Sequence, residues 1–260
     1  SRLMKSLFKR FLYGGIPYFY LKLFKPQSDN IQYYKYIKDH AYTKLYTRFP
    51  TCYFAHDYLK QEVTVHQDPL KGLPYVEHNK KRLYFPKSIP PREIADMYIA
   101  LLIEQHVECP HCYVQSLEEY RNKTLLDVGS AEGIISLDAI DYAKFIYLFE
   151  FDEEWIEALE ATFEPWKDKV QIIAKYVSNT IDDIHETLDN FLKDKSKDDL
   201  FLKMDIEGEE RNALEGAREL FEQSPDLEFA ICTYHKKDDL QVISSFLDTY
   251  HCNYKSTKGY

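Results

Sequence analysis

The segment Thr124–Gly133 constrains the fold more than any other part of the chain. It is an apolar run that ends in Asp127, followed by a turn between Gly129 and Gly133. A helical pattern begins directly afterwards. Because glycine has no Cβ, such a turn lets the backbone pass close to a ligand, and the N-terminus of the next helix points at the same place. The segment therefore predicts a nucleotide-type cofactor loop between a buried strand and a helix.

From Thr124 onward, apolar runs alternate with helical patterns. The strand-like runs are 124–129, 145–150, 170–177, 200–205 and 227–233. The helical patterns are 132–142, 152–164, 180–192, 209–222 and 238–250. Continuously apolar strands are buried on both faces, so this order predicts a mostly parallel sheet with helices on both sides. We expect a Rossmann-like α/β domain over residues 119–260 and a mainly helical, aromatic-rich region over residues 1–118.

Polar residues follow every predicted strand of this domain. They are Asp127–Gly133, Glu150, Ser178, Asp205–Gly208 and Tyr234–His235. Right-handed crossovers bring the carboxyl ends of parallel strands to one edge of the sheet, where ligands bind. We therefore expect these residues to contribute to one site.

The loop differs from the dinucleotide-binding fingerprint, because Gly129 and Gly133 are spaced G-x-x-x-G rather than G-x-G-x-x-G. Asp127 and Glu132 would oppose a phosphate and suit a cation. Glu150, at the end of the next apolar run, can accept hydrogen bonds from both hydroxyls of a ribose. These features favour S-adenosylmethionine, a phosphate-free sulfonium, and disfavour a nicotinamide-dependent oxidoreductase.

Several candidate side chains have two interpretations each. Phe151 could cover an adenine ring or simply begin a helix. Asp205 and Glu207 could orient the cationic end of the cofactor, remove a proton or hold a divalent ion such as Mg²⁺, or could cap the next helix. His235 could be a general base or a structural histidine.

The chain resembles the FkbM family of S-adenosylmethionine-dependent methyltransferases over residues from about 120 to 255. The matching segments, in order and spacing, are Asp127–Gly133, Phe149–Glu150, Lys203–Glu209, Leu214–Ala217, Tyr234–Lys236 and Asp238–Asp239. The resemblance implies a class I methyltransferase fold and transfer of a methyl group to a hydroxyl of a sugar, glycan or small metabolite. It also implies that the N-terminal region covers the acceptor site.

We assign candidate roles on this combined basis. The candidate cofactor-binding residues are Asp127, Gly129, Ser130, Ala131, Gly133, Glu150, Phe151, Ser178 and Asp205. The candidate catalytic residues are Asp205, Glu207 and His235. No metal site is assigned. Pro110–Tyr113 resembles a segment that precedes the core in some relatives, which would bring His111 and Tyr113 near the pocket.

Two departures from the family pattern stand out. Phe151-Asp152 occupies the position of a common Pro-Asp pair, which makes the adenine contact of Phe151 less secure. The sequence also ends soon after the expected start of a sixth strand, so the last strand of the fold is expected to be missing from it.

Charge and cysteine content narrow the class of protein. The net charge is −10 and the pI about 5.4, which argues against a broad nucleic-acid-binding face. The five cysteines are odd in number and irregularly spaced, so a secreted disulfide framework is not expected. Cys109-Pro-His-Cys112 could be a redox or metal motif, but we favour an ordinary loop, because no second Cys pair follows.

Residues 1–28 are basic and apolar and contain no acid. The segment could contact a membrane surface through residues 1–26, or form a helix packed on the core with solvated lysines, and we favour the packed helix. No apolar run is long enough to span a bilayer and no signal-peptide pattern is present. We expect a cytoplasmic protein, with peripheral membrane contact as the alternative.

Two functional hypotheses follow from the sequence. The first is an O-methyltransferase that acts on a glycan or small metabolite and binds no nucleic acid. The second is a catalytically inactive protein that keeps the methyltransferase fold as a binding or scaffold module.

Overall fold

The computed structural model describes residues 7–8, 10–28, 30–39 and 54–257. The chain divides into two compact units. One comprises residues 1–63 and 95–109, and the other comprises residues 64–94 and 110–260. The predicted boundary near residue 118 stays a prediction.

The second unit contains the strands. In chain order they are β1 (His66–Gln67), β2 (Pro74–His78), β3 (Lys81–Tyr84), β4 (Thr124–Val128), β5 (Phe145–Phe149), β6 (Val170–Ile173), β7 (Tyr176–Val177), β8 (His185–Glu186), β9 (Leu200–Met204) and β10 (Glu228–Ile231). Its helices after β4 are Ile134–Ala139, Glu153–Phe163, Leu188–Phe191, Glu210–Glu215, Arg218–Gln223 and Asp239–Thr249. Single 3₁₀ turns occur at Leu117–Tyr120 and Glu164–Trp166.

Five strands form one parallel sheet in the order β10-β9-β4-β5-β6. The chain builds outward from β4 through β5 to β6, then returns to the other side of β4 to add β9 and β10. The direction of winding therefore reverses between β4 and β9, and ligands bind at this switch point in open α/β sheets. The predicted Rossmann-like α/β fold is confirmed, and each predicted strand-like run contains one strand of this sheet.

The segment between β6 and β9 differs from the prediction. The run 170–177 is two strands, because the chain leaves the sheet after Ile173 and β7 pairs with β8 instead. The helix predicted over 180–192 is only Leu188–Phe191. Asp182 is the cause, because its carboxylate accepts the backbone N–H groups of Ile184 and His185 and holds a turn there. The His185 hydrogen bond also lowers the pKa of Asp182 to about 2.

Two further differences concern the C-terminal part. The helix predicted over 209–222 is interrupted at Gly216, whose carbonyl oxygen accepts a hydrogen bond from the backbone N–H of Asp189 (3.0 Å). Residues 252–257 form no strand.

A short antiparallel sheet precedes the parallel sheet in the chain. β2 pairs with both β1 and β3, and the β2–β3 turn is formed by Asn79 and Lys80, both at positive φ. Two consecutive residues in this conformation give the turn that fits the right-handed twist of a hairpin. The helix Pro91–Glu104 begins at the Pro90-Pro91 pair, and proline suits the first turn of a helix.

The described part of the first unit is helical. It contains a π-helix (Phe11–Gly15) and the α-helices Ile16–Phe24, Asn30–Asp39 and Ala55–Tyr58. No residue of Ile16–Phe24 is buried, and the expected packing of the basic segment on the core stays a prediction. Arg2, Lys5 and Lys9 lie outside the described residues. Among the helices that the structure describes, none is long and apolar enough to cross a bilayer.

Within the Cys109-Pro-His-Cys112 segment, the surroundings of Cys112 favour an unreactive thiol. The Cys112 thiol donates a hydrogen bond to the carbonyl oxygen of Val114 (2.9 Å), and burial raises its pKa. Reactive cysteines have lowered pKa values, because the thiolate is the nucleophile. The interpretation as an ordinary loop is therefore preferred.

A buried ion pair joins the two central strands. Asp127 of β4 and Lys203 of β9 are direct register partners, and the Lys203 Nζ lies 2.9 Å from Asp127 Oδ1. Both side chains are almost completely buried. Burial alone would lower the pKa of Lys203, but the charges of Asp127 and Asp205 outweigh it and raise that pKa. The Ser136 hydroxyl donates to Asp127 Oδ2 (2.6 Å), so both carboxylate oxygens are held.

We predict that Lys203→Met lowers the free energy of unfolding by about 3–5 kcal/mol, because it leaves the Asp127 carboxylate buried without its counter-charge. Guanidinium denaturation followed by circular dichroism would measure the change. Lys87→Met is the control: it breaks the solvent-exposed pair with Glu157 and should cost less than about 1 kcal/mol. Equal costs for the two variants would contradict a structural role for the buried pair.

Candidate functional site

The loop after β4 lies against the end of β9. Gly129 has a φ of +79°, and a Cβ built on it would lie 1.9 Å from the carbonyl oxygen of Asp205. Its own carbonyl oxygen accepts a hydrogen bond from Lys203 Nζ (2.6 Å). Gly133 is restricted in another way, because a Cβ there would clash with Leu159 on the helix Glu153–Phe163. Gly129 is therefore needed for close backbone packing at the switch point, and Gly133 for close packing of the loop against that helix.

Two of the predicted cofactor-binding residues, Ser130 and Asp127, form hydrogen bonds or ion pairs within the protein that hold the loop. Ser130 is buried, and its hydroxyl donates to the carbonyl oxygen of Asp127 (2.8 Å). The side chain of Asp127 is fully buried and engaged by Lys203 and Ser136. Their contact with a cofactor stays a prediction, while their part in fixing the loop conformation is visible.

Glu150 connects the β4 loop to the end of β5. Its Oε2 accepts the backbone N–H of Ala131 (3.0 Å), and its Oε1 accepts those of Phe151 (2.8 Å) and Asp152 (2.9 Å). These contacts fix a half-buried carboxylate beside the glycine loop. A carboxylate in this place can accept hydrogen bonds from a ribose diol.

An aromatic pair lies next to this carboxylate. The ring of Phe151 packs on the ring of Tyr176, with centroids 4.3 Å apart and planes at 35°. Tyr176 is half exposed, so the pair presents an aromatic surface to solvent. Ser178 follows Tyr176 by two residues: its backbone N–H donates to the carbonyl oxygen of Glu186 (2.8 Å), and its carbonyl oxygen packs against Gly216. Its contact with a cofactor stays a prediction.

Asp205, Glu207 and His235 come together at the ends of β9 and β10. His235 Nε2 lies 3.4 Å from Asp205 Oδ1 and 3.6 Å from Glu207 Oε2. His235 Nδ1 lies 2.9 Å from Oε1 of Glu210, which is completely buried. The same Glu210 oxygen accepts the backbone N–H of Ile206 (2.9 Å). A buried carboxylate on Nδ1 fixes the ring and leaves Nε2 directed at the two acids.

Tyr113 reaches the same cluster from the segment before the sheet. Its hydroxyl donates to Asp205 Oδ2 (2.7 Å). Burial, followed by the nearby Cys232 and Asp205, raises the pKa of Tyr113 well above its usual value, so the phenol stays protonated as a donor. The ring of His111 packs edge-on against Tyr234, which neighbours His235. The structure therefore brings His111 and Tyr113 to the site, as the resemblance implied.

The cluster could also accommodate a cation. Asp205, Glu207 and His235 each offer one ligand atom, and these atoms lie within 4.8 Å of one another. Asp205 Oδ1 is buried and accepts no hydrogen bond. Oxygen and imidazole ligands of this kind suit divalent ions such as Zn²⁺ or Mn²⁺.

The family assignment rests on a match to a family model. The model of the methyltransferase FkbM domain matches residues 101–256. The chain belongs to this family. The matched region contains the whole parallel sheet, the glycine loop and the Asp205–His235 cluster, so the predicted resemblance is confirmed.

Two solved structures are similar to the chain. A methyltransferase FkbM from Methylobacillus flagellatus KT aligns over 59% of this chain and 48% of its own, with 18% identity and a TM-score of 0.44. The chain thus matches about half the length of that protein. A precorrin-6y C5,15-methyltransferase from Geobacter metallireducens GS-15 aligns over 55% of this chain and 71% of its own, with 11% identity and a TM-score of 0.37. Comparison with curated proteins gave no match.

Sequence reasoning missed three residues of this region. Lys203 was noticed only as part of a motif, although a lysine inside an apolar run is a signal that it needs a buried counter-charge. Glu210 looked like an ordinary first-turn acid of a helix. Tyr176 looked like a strand residue, and only the early end of β6 brings its ring to Phe151.

We predict that Gly129→Ala abolishes ligand binding at the switch point, because its Cβ would displace the Asp205 carbonyl and so move the cluster of Asp205, Glu207 and His235. Gly72→Ala is a matched control, since Gly72 has a similar positive φ of +68° but open space around it. The control should lose only about 1 kcal/mol of stability and bind normally. Thermal unfolding and calorimetric titration with S-adenosylhomocysteine would measure both. Normal binding by Gly129→Ala would contradict the close contact.

Proposed function

We propose that the protein is an S-adenosylmethionine-dependent O-methyltransferase that acts on a hydroxyl of a glycan or small metabolite. The observation that carries the proposal is the His235 imidazole, held by buried Glu210 on one nitrogen and facing Asp205 with the other, beside the cofactor loop. The cytoplasmic location expected from the sequence is kept as part of this proposal.

The residues around the loop fit S-adenosylmethionine in three respects. Glu150 supplies a carboxylate for the ribose, and Phe151 with Tyr176 supplies an aromatic surface for the adenine. The buried, unsatisfied Asp205 Oδ1 supplies negative charge for the ammonium or sulfonium end. No arginine or lysine occupies the turn Gly129–Gly133, which suits a cofactor without phosphate.

His235 is the proposed general base. If Nδ1–H donates to Glu210, Nε2 carries the lone pair and can accept the proton of an acceptor hydroxyl. The carboxylates of Asp205 and Glu207 would then stabilise the imidazolium that forms. Tyr113 holds Asp205 in place through its hydrogen bond. Bound S-adenosylmethionine supplies the methyl group, and the protein otherwise orients the reactants and excludes water.

An aromatic group borders this base and favours a ring-shaped acceptor. Tyr234, half exposed, lies between the rings of His111 and His235. Aromatic faces of this kind can pack on the apolar face of a sugar or on a planar metabolite. This supports the proposed acceptor class, a glycan or small metabolite.

We predict that the chain binds S-adenosylhomocysteine and not NADH, and that Glu150→Ala weakens this binding about tenfold or more, because two charge-assisted hydrogen bonds to the ribose are lost. Isothermal titration calorimetry would measure the affinities. Glu153→Ala, an exposed acid on the adjacent helix, is the control and should bind as the natural chain does. Binding of NADH alone would favour an oxidoreductase instead.

We predict that His235→Ala lowers methyl transfer by about 10²–10⁴-fold while leaving cofactor affinity within a few-fold, since a positioned base contributes this much. Glu210→Gln should lower it less, because the ring loses its orienting charge but stays in place. Transfer to a panel of hydroxylated acceptors, followed by mass spectrometry, would measure the rates, with His66→Ala as an exposed-histidine control. Cofactor binding with no transfer to any acceptor, or rates unchanged in His235→Ala, would support the scaffold alternative.

Chelation of metal ions distinguishes two roles for the same cluster: His235 as a general base, or the cluster as a metal site. Because we assign His235 Nε2 to the acceptor proton, we expect EDTA to leave methyl transfer unchanged. Loss of transfer with EDTA, restored by Mg²⁺ or Mn²⁺, would instead make Asp205, Glu207 and His235 cation ligands.

A further inference from the structure

An unusually apolar surface lies on the N-terminal helical segment, which the structure describes over residues 7–8 and 10–24. More than half of the exposed large hydrophobic side chains found among the described residues belong to it. They are Leu7, Phe8, Phe11, Leu12, Tyr13, Ile16, Phe19, Tyr20, Leu23 and Phe24. Folded monomers rarely leave a continuous apolar patch of this extent in water, so such patches mark interaction surfaces.

The local packing explains why these side chains point outward. The segment contacts the helix Asn30–Asp39 through its glycines: a Cβ on Gly14 would lie 2.3 Å from the backbone nitrogen of Lys38. Gly14 and Gly15 are buried, whereas no residue of Ile16–Phe24 is. Arg10 secures the contact by donating to the carbonyl oxygens of Lys38 (3.1 Å) and Asp39 (2.6 Å). The inner side of this helical hairpin is thus occupied by glycine and backbone, and the apolar side chains remain outside.

The charge of the segment is opposite to that of the whole chain. Residues 1–28 contain basic side chains and no Asp or Glu, although the chain carries a net charge of −10. Lys22 and Lys25, both exposed, lie at the end of the helix that also carries exposed Leu23 and Phe24. Apolar and aromatic side chains together with lysines, without acids, are typical of helices that lie in the interface of an anionic membrane.

We propose that residues 7–25 dock on the surface of a bilayer that contains anionic lipids. The aromatic and aliphatic side chains would enter the boundary between headgroups and acyl chains, and Lys22 and Lys25 would contact the headgroups. A second copy of the chain fits less well, because two such segments would bring lysines of the same charge together. The proposal does not depend on the catalytic roles proposed above.

The test uses the full chain and large unilamellar vesicles. We expect it to sediment with phosphatidylcholine vesicles that contain phosphatidylglycerol, more weakly with pure phosphatidylcholine, and less as salt increases, because salt screens the lysines. Absence of vesicle binding would overturn the proposal. Sedimentation velocity without lipid tests whether a second copy of the chain covers the patch instead. If the chain does not bind vesicles but self-associates, and mutation of the patch abolishes the self-association, the membrane proposal is wrong and the patch is a self-association surface.

Substitutions in the N-terminal segment test whether it is the part of the chain that contacts the membrane. Leu23→Ser/Phe24→Ser changes two side chains that are 74% and 70% exposed, so folding should be unaffected, while vesicle affinity should fall roughly tenfold or more. Lys22→Glu/Lys25→Glu should remove the preference for anionic lipid. Leu70→Ser is the matched control, since Leu70 is 95% exposed in the other unit. Equal effects of Leu70→Ser and Leu23→Ser/Phe24→Ser would contradict a specific docking surface.

Discussion

The buried ammonium of Lys203 is the constraint on which the rest of the site depends. It cannot remain charged between two apolar strands without Asp127, its register partner, so the pair fixes the alignment of β4 and β9. The same ammonium donates to the carbonyl oxygen of Gly129. That bond draws the glycine loop against the backbone of Asp205. One side chain thereby sets the distance between the proposed cofactor loop and the proposed catalytic cluster.

Four carboxylates near the switch point differ in function because their surroundings differ. Asp127 forms the buried ion pair with Lys203, and Glu210 is buried against His235. Asp205 accepts a hydrogen bond from the Tyr113 hydroxyl and faces His235, and Glu150 is aligned by backbone N–H groups at the edge of the loop. The first two lie in buried pairs within the protein, and the last two are the carboxylates to which the proposed function assigns ligand contacts. An acidic residue in a motif does not reveal this division, since it arises from neighbours distant in sequence.

The positions of the five strands were predicted correctly from the sequence, because these strands are short, largely apolar runs. Such runs are removed from water only when both faces of the sheet are covered. The prediction failed between β6 and β9, where the side chain of Asp182 competes with helical hydrogen bonds. Within the site, the strand-end residues Glu150, Asp205 and His235 were foreseeable, because parallel strands bring their ends together. Glu210 was not, because its burial appears only when its helix packs. Composition also does not show that Gly14 takes the inner side of the helical hairpin and leaves the apolar side chains of that segment exposed.

A crystal structure of the chain with S-adenosylhomocysteine would test the central claim, that the β4–β9 switch point holds both the cofactor and the chemistry. We expect the ribose hydroxyls on Glu150, the adenine beside Phe151 and Tyr176, and the thioether sulfur facing Asp205 and His235. A ligand bound elsewhere, or one in this loop with its sulfur directed away from His235, would contradict it.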